Sequence, residues 1–237
     1  YLYYVISGRS MFSFRFRNCC FSNEIMSEIL KIGIPTLAFQ LLTSLSITMI
    51  NMQAKPYGDS VIAGMGAVTR MISLGSLMVF GFIKGFQPIA GYNFGARQYP
   101  RVTRVLKLTI IGATIVTTTG FLLGMFIPDL LASIFTSDAE LIQLAAEGYR
   151  IVVMFFPIVG FQMVASNFFQ SIGMASKAIF LSLTRQMLFL IPCLLILPQY
   201  YGQTGVWVSM PVSDLAASLV SGVMLWWQFR QFRKMSL

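Results

Sequence analysis

Long apolar runs dominate this chain, and the polar positions inside them recur every three or four residues instead of alternating. Six runs can cross roughly 30 Å of hydrocarbon at about 1.5 Å per residue: 29–52, 61–91, 105–127, 141–172, 178–198 and 206–229. The expected fold is all-α and integral to the membrane, with six transmembrane helices. In the first run Gln40, Thr43/Ser44, Thr48 and Asn51 fall on one helical face, and Gln162, Ser166, Asn167 and Gln170 do the same in the fourth. Phe39, Met49, Phe161, Met163 and Phe168 flank the two stripes. Such stripes suit a watery cavity for greasy, loosely specified ligands; hydrogen bonding between helices is the alternative. The substrate-binding candidates are Gln40, Thr43, Met49, Gln162, Met163, Asn167 and Gln170.

Prolines interrupt the pattern at Pro35, Pro88, Pro157, Pro192 and Pro198, in four of the six runs. Proline removes a backbone hydrogen bond and bends a helix, so bent helices around a cavity are expected. Gln87-Pro88, just before Gly91, Gly95 and the cations Arg97 and Arg101, reads as a hinge at the end of the second helix. Gly64, Gly66 and Ala67, then Gly81 and Gly85, then Gly120 and Gly124 predict close helix contacts. The fourth run begins SDAELIQLAAEGYR, whose Asp138 and Glu140 suit a helix N-terminus.

Composition agrees with a bilayer: 56% of the 237 residues are hydrophobic, 11% are charged, and mean hydropathy is +0.74. A net charge of +9 raises the question of nucleic acid, which the placement of the 17 Lys and Arg answers. Arg9, Arg15, Arg17 and Lys31 precede the first run. Arg97, Arg101, Arg104 and Lys107 follow the second, Lys177 the fourth, and Arg230, Arg233 and Lys234 the sixth. The intervening loops carry Lys55 with Asp59, then Asp129, Asp138 and Glu140, then no charge in QYYGQT. By the positive-inside rule both ends of the chain face the cytoplasm, and no nucleic-acid partner is expected. YLYYVIS before GRSMFSFRFR reads as the tail of a preceding helix, so a fragment is expected.

Cys19 and Cys20 fall in the basic loop and Cys193 in a span, and histidine is absent. No metal site, cofactor or enzymatic constellation is expected, because no catalytic histidine, metal cluster or paired carboxylates appear. A charge in hydrocarbon costs about 2.5 kcal/mol or more, which marks Arg70, Arg150 and Asp214, each roughly 12–14 Å deep, as a buried charge layer. Either Asp214 pairs with one of these cations to fix helix positions, or it binds a proton, sodium ion or cationic substrate. Glu147 can pair with Arg150 on the same helix, while Lys84 and Arg185 are expected to reach the interface.

KIGIPTL at 31–37, YGDSVIAGMGAVTR at 57–70, GFQPIAGYNFGA at 85–96, LTRQMLFLIPCLLILP at 183–198 and GQTGVWVSMPVSD at 202–214 together resemble the multidrug and toxic compound extrusion (MATE) transporters. The resemblance implies a twelve-helix transporter of two six-helix lobes, of which this chain is the C-terminal lobe and a missing N-terminal lobe the partner. Residues 1–27 would be the tail of a helix and a basic inter-lobe loop, 28–230 the lobe, and 231–237 a cytoplasmic tail. It further implies cation-coupled efflux of amphipathic, often cationic drugs or metabolites by alternating access, with a proton or sodium ion as coupling ion. The location implied is a cell membrane, as in a bacterial inner membrane. A lipid-linked oligosaccharide flippase of related architecture is the alternative, though only Arg70 and Arg150 could meet a pyrophosphate. Where some members carry acids in the first and fourth helices of this lobe, this chain has Thr43 and Phe161 or Gln162. The coupling acid is therefore expected in the missing lobe, and Asp214→Asn should reduce transport less than loss of an acid there. Uncoupled efflux in an Asp214→Asn variant that folds normally would overturn that expectation.

Overall fold

The computed structural model describes residues 22–235. The expectations on Tyr1, Arg9, Arg15, Arg17, Cys19 and Cys20, and on the side chains of Lys31, Pro35, Phe39, Arg233 and Lys234, lie outside the described residues. Away from water, backbone N–H and C=O groups must pair within their own segment, so the apolar runs become helices. They are α1 (Asn23–Ala54), α2 (Asp59–Gly95), α3 (Tyr99–Phe126), α4 (Pro128–Ser133), α5 (Ala139–Val152), α6 (Phe156–Ser171), α7 (Ala175–Leu183), α8 (Ile191–Tyr201) and α9 (Gln203–Met235). Short 3₁₀ turns occupy Lys55–Tyr57 and Val153–Phe155, and a π-helical segment, Thr184–Leu190, joins α7 to α8.

Asp59–Gly95, Tyr99–Phe126, Ala139–Ser171, Ala175–Tyr201 and Gln203–Phe232 are each long and apolar enough to cross a bilayer. These are the second to sixth expected spans. The first falls within α1, a helix of 32 residues. By contacts the chain divides into Tyr1–Leu37 and Ala38–Leu237. In the first unit the Ser22 hydroxyl accepts from the Glu24 N–H at the helix start (3.2 Å), and Ile25, Met26, Ile29, Leu30, Ile34 and Leu37 are exposed. In the second unit exposed Leu74, Leu77 and Met78 on α2 and Leu108, Ile111 and Ile115 on α3 form apolar outer faces of the kind that a bilayer covers.

The prolines serve different purposes. Pro88 lies inside a continuous α2 and Pro198 inside α8. Pro157 instead sits in the first turn of α6, just after the 3₁₀ turn, where the missing N–H costs little, and Pro192 follows the π-helical segment inside the continuous helical span Ala175–Tyr201. The long fourth span is thus two helices joined by a 3₁₀ turn. Its start is capped by Asp138, whose side chain accepts from the Glu140 N–H at 3.0 Å. Buried Pro211, inside α9, is a further interior proline that periodicity did not single out.

Two apolar clusters form the core. One gathers Met65, Met71, Tyr149, Phe156, Leu194 and Trp207; the other gathers Ile83, Phe86, Leu106, Phe168, Phe169 and Phe232, and Met163 packs against both. Helix α6 is packed along α2, α3 and α9. Its contact with α3 is backbone-close at Gly160, where a Cβ would lie 2.7 Å from Thr117 Oγ1 and 2.9 Å from the Ala113 carbonyl oxygen. Gly148 and Gly205 make equally tight approaches, against the Trp207 ring and the Leu197 carbonyl. Of the glycines expected to pack, Gly64 does so against Leu144, Gly120 against Phe156 and Gly124 beneath Tyr149, whereas Gly66, Gly81 and Gly85 face open space.

The turn after α2 departs from expectation. Gly91 is within α2, where a Cβ would meet the Ser171 carbonyl at 3.0 Å, and the left-handed residue is Arg97 (φ 57°). Arg97 N–H donates to Phe94 O (3.0 Å) and Gln98 N–H to Asn93 O (2.8 Å), the bond pair of a Schellman stop. The same pair closes α6, from Gly173 (φ 77°) to Gln170 O and from Met174 to Phe169 O.

Replacing Gly160 by alanine should lower stability by about 1–3 kcal/mol through overpacking, whereas Gly66→Ala should leave it unchanged or higher. Thermal melting of the two variants in detergent separates these outcomes.

Candidate functional site

The polar stripe of α1 is divided between exposed and internal positions. Gln40, Ser44, Thr48 and Asn51 are exposed, Thr43 is half-buried, and Met49 packs against the first apolar cluster. Thr48 Oγ1 folds back onto the Ser44 carbonyl at 3.0 Å, a bond made within the helix that leaves the face polar without requiring a neighbour. The stripe of α6 runs obliquely. Gln170 is exposed, Ser166 and Asn167 are half-buried, and Gln162 is buried, with no hydrogen-bond partner for its Oε1 among the described residues. Asn167 Nδ2 donates to the Met163 carbonyl at 2.9 Å, and its Oδ1 accepts from Gln87 Nε2 at 3.3 Å. Gln87, one residue before Pro88, therefore ties α2 to α6.

The buried charge layer is not assembled as expected. Arg70 is exposed, and so is Arg150, whose Nη2 lies 4.0 Å from Asp129 Oδ2 and not against Glu147. Asp214 is buried, and its Oδ1 accepts from Arg185 Nε at 2.6 Å. Equal depth along separate helices did not make Arg70 or Arg150 the partner, because depth says nothing of the face from which a side chain leaves its helix. Arg185, expected to be free to reach the interface, is engaged by Asp214 and only one-third exposed.

The π-helical segment explains the pairing. An i→i−5 bond from Ile191 N–H to the Gln186 carbonyl closes it, and the wider turn presents successive side chains to different neighbours. Arg185 reaches α9. Gln186, which is buried, accepts from Ser46 Oγ of α1 at 3.0 Å and donates to Thr43 Oγ1 at 3.4 Å. Sequence reasoning missed Ser46 and Gln186, and named Arg185 without giving it Asp214 as partner. The available signal was TRQ, a polar triplet in an apolar run, placed shortly before Pro192.

This geometry is that of a helical lobe with internal amide and charge ties and an exposed polar face on α1. A family model, MatE, matches residues 35–196. The chain belongs to the MatE family. It is 24% identical over 200 residues to the multidrug export protein MepA of Staphylococcus aureus (strain MSSA476), covering 84% of this chain and 44% of MepA. MepA of Staphylococcus haemolyticus is 21% identical over 221 residues, covering 93% of this chain and 48% of the relative. A MATE multidrug transporter solved as a complex, DinF-BH, superposes with a TM-score of 0.81 at 33% identity, covering 95% of this chain and 51% of that one. A MATE in the bent conformation superposes at 0.87 with 21% identity, covering 99% and 52%. This MatE chain is thus a multi-pass, all-α membrane protein that spans about half the length of the relatives it matches.

Removing Arg185 strands a buried carboxylate, which costs about 3–5 kcal/mol, whereas losing both partners removes the desolvation problem. Arg185→Met should therefore melt well below Arg185→Met/Asp214→Leu, with the double variant nearer the parent. A double-mutant cycle of melting temperatures measures the coupling.

Proposed function

We propose that this MatE chain is the C-terminal lobe of a cation-coupled efflux antiporter that exports amphipathic, often cationic compounds by alternating access. The observation that carries this reading is the polar face of α1, where Gln40, Ser44, Thr48 and Asn51 stay exposed in a helix otherwise suited to lipid. Hydroxyls such as that of Thr48 are satisfied within the helix, but exposed amides such as Gln40 and Asn51 at membrane depth require a wet vestibule or a second lobe opposite them. The half-length match to MATE transporters supports a facing lobe. Half-buried Met49 and Met163 beside the stripes supply soft, adaptable surface for varied ligands. Proton or sodium coupling is assigned to the other lobe, since Asp214 is engaged by Arg185 and no other carboxylate lies on α6, the π-helical segment, α8 or α9.

Cysteines introduced at Gln40, Ser44 and Gln170 of the full-length transporter should react with a polar maleimide and be protected by an amphipathic cation, while one at Gln162 should stay unreactive. Ethidium efflux by the same protein should depend on an imposed proton or sodium gradient. Unreactive Gln40 and Ser44 positions would remove the vestibule and with it this reading.

A further inference from the structure

The basic end of the lobe holds cations that no carboxylate answers among the described residues. Lys177 is half-buried in the first turn of α7, where its Nζ donates to Gln228 Oε1 at 2.7 Å and stands 5.6 Å from the ring centroids of both Phe169 and Trp227. One turn along α9, the Arg230 guanidinium lies 3.8 Å over the Trp226 ring. The elements meeting here are the end of α2, the start of α3, the α6–α7 turn and the end of α9. Between Asp59 and Asp129, between Glu147 and Asp214, and after Asp214, the sequence contains no acid. A cation held by one neutral oxygen and two aromatic faces is oriented but not neutralised. Gln228, fully buried, fixes that orientation while its own Nε2 has no acceptor among the described residues.

A second observation says what kind of anion fits. Leu219, Val223, Trp226, Trp227 and Arg230 follow one another at i, i+4, i+7, i+8 and i+11, so they share one face of α9. The four apolar members are 67%, 65%, 54% and 56% exposed. An apolar track thus leads to two successive tryptophans, side chains that favour the headgroup level, and ends on Arg230 over Trp226, with Lys177 beside Trp227 from α7. That order of chemistry, chain then interface then charge, matches a membrane lipid and not a free anion.

We propose that Lys177, Arg230, Trp226 and Trp227, backed by Gln228, form a binding site for the headgroup of an anionic phospholipid, whose acyl chain lies along Leu219 and Val223. The phosphate receives the Lys177 ammonium and the Arg230 guanidinium. The start of α7, where Met174 provides no side-chain cap, adds backbone N–H groups beside Lys177. The aromatic rings keep both cations at the height of the headgroups, so the site selects charge and discriminates against zwitterionic lipid.

The full-length transporter in detergent tests this by native mass spectrometry and thermal melting with phosphatidylglycerol, phosphatidylcholine or inorganic phosphate. The parent should bind phosphatidylglycerol more tightly than phosphatidylcholine and melt higher with it. Lys177→Met/Arg230→Met should lose roughly thirtyfold in phosphatidylglycerol affinity, at about 1 kcal/mol per cation, with a smaller loss for phosphatidylcholine, so that the preference between the two lipids disappears. Lys177→Arg/Arg230→Lys should retain the preference. Arg230→Met alone leaves Gln228 its partner, so it should keep the parent's melting temperature in phosphatidylcholine and lose roughly fivefold in phosphatidylglycerol affinity. Equal binding of the two lipids by the parent, or full preference in Arg230→Met and the double variant, would overturn the site. Inorganic phosphate reproducing the whole melting shift would overturn the lipid assignment.

Discussion

Polar groups without water must find partners close at hand, and this lobe is organised by that requirement. Most hydroxyls turn back on their own helix: Thr69 to Met65 O, Ser76 to Ile72 O, Thr109 to Val105 O, Ser209 to Gly205 O and Ser218 to Asp214 O. Such bonds satisfy the hydroxyl locally and leave helix packing to apolar shape. Amides and charges, which have more donors and acceptors than one helix can absorb, make the ties between helices. Gln87 to Asn167, Gln186 to Ser46, Arg185 to Asp214 and Lys177 to Gln228 are all of this kind.

These ties are unevenly distributed in a way that suits a moving part. The contact of α6 with α3 relies on Gly160 and on the Thr117 hydroxyl, which stands 3.4 Å from the Pro157 carbonyl. Backbone-close packing of that sort is stiff, because displacement by a few tenths of an ångström either clashes or opens a void. The second half of α1, by contrast, is tied through Gln186 on a π-helical turn, and its polar face remains open. A wide turn, with its i→i−5 bonds, is a place where a helix can change register at low cost. The proposed vestibule borders the side of the lobe that is held by side-chain bonds through Gln186, and the apolar clusters around Tyr149, Phe156 and Phe168 hold the other helices.

Much of this was legible in one dimension. The apolar runs became helices within about six residues of their expected ends, the Asp138 start is a true cap, and four of the five motifs fall in or overlap the family match at residues 35–196, the motif at 202–214 lying beyond it. Legibility failed where a side chain's direction mattered. Arg70, Arg150 and Asp214 share a depth but not a neighbour, and Gln162 belongs to the polar stripe by spacing yet is buried. Arg97, not Gly95, takes the left-handed position, because the Schellman bonds place that conformation one residue after the Ala96 cap whatever residue stands there.

The sequence by itself determined the solvent, the class and the family: hydrocarbon around the chain, helices long enough to span it, and basic ends. Solvent and class follow from summed hydropathy and charge bias, and the family from the resemblance that the spaced motifs carry; none of these needs knowledge of neighbours. Tertiary structure alone decided that Arg185 answers Asp214, that Gln186 holds α1, and that Lys177 rests between Phe169 and Trp227. Each of those pairings depends on helix rotation. Rotation is set by the mutual fit of several faces at once, through the Gly160 contact and the π-helical turn, and no single stretch of sequence contains that fit.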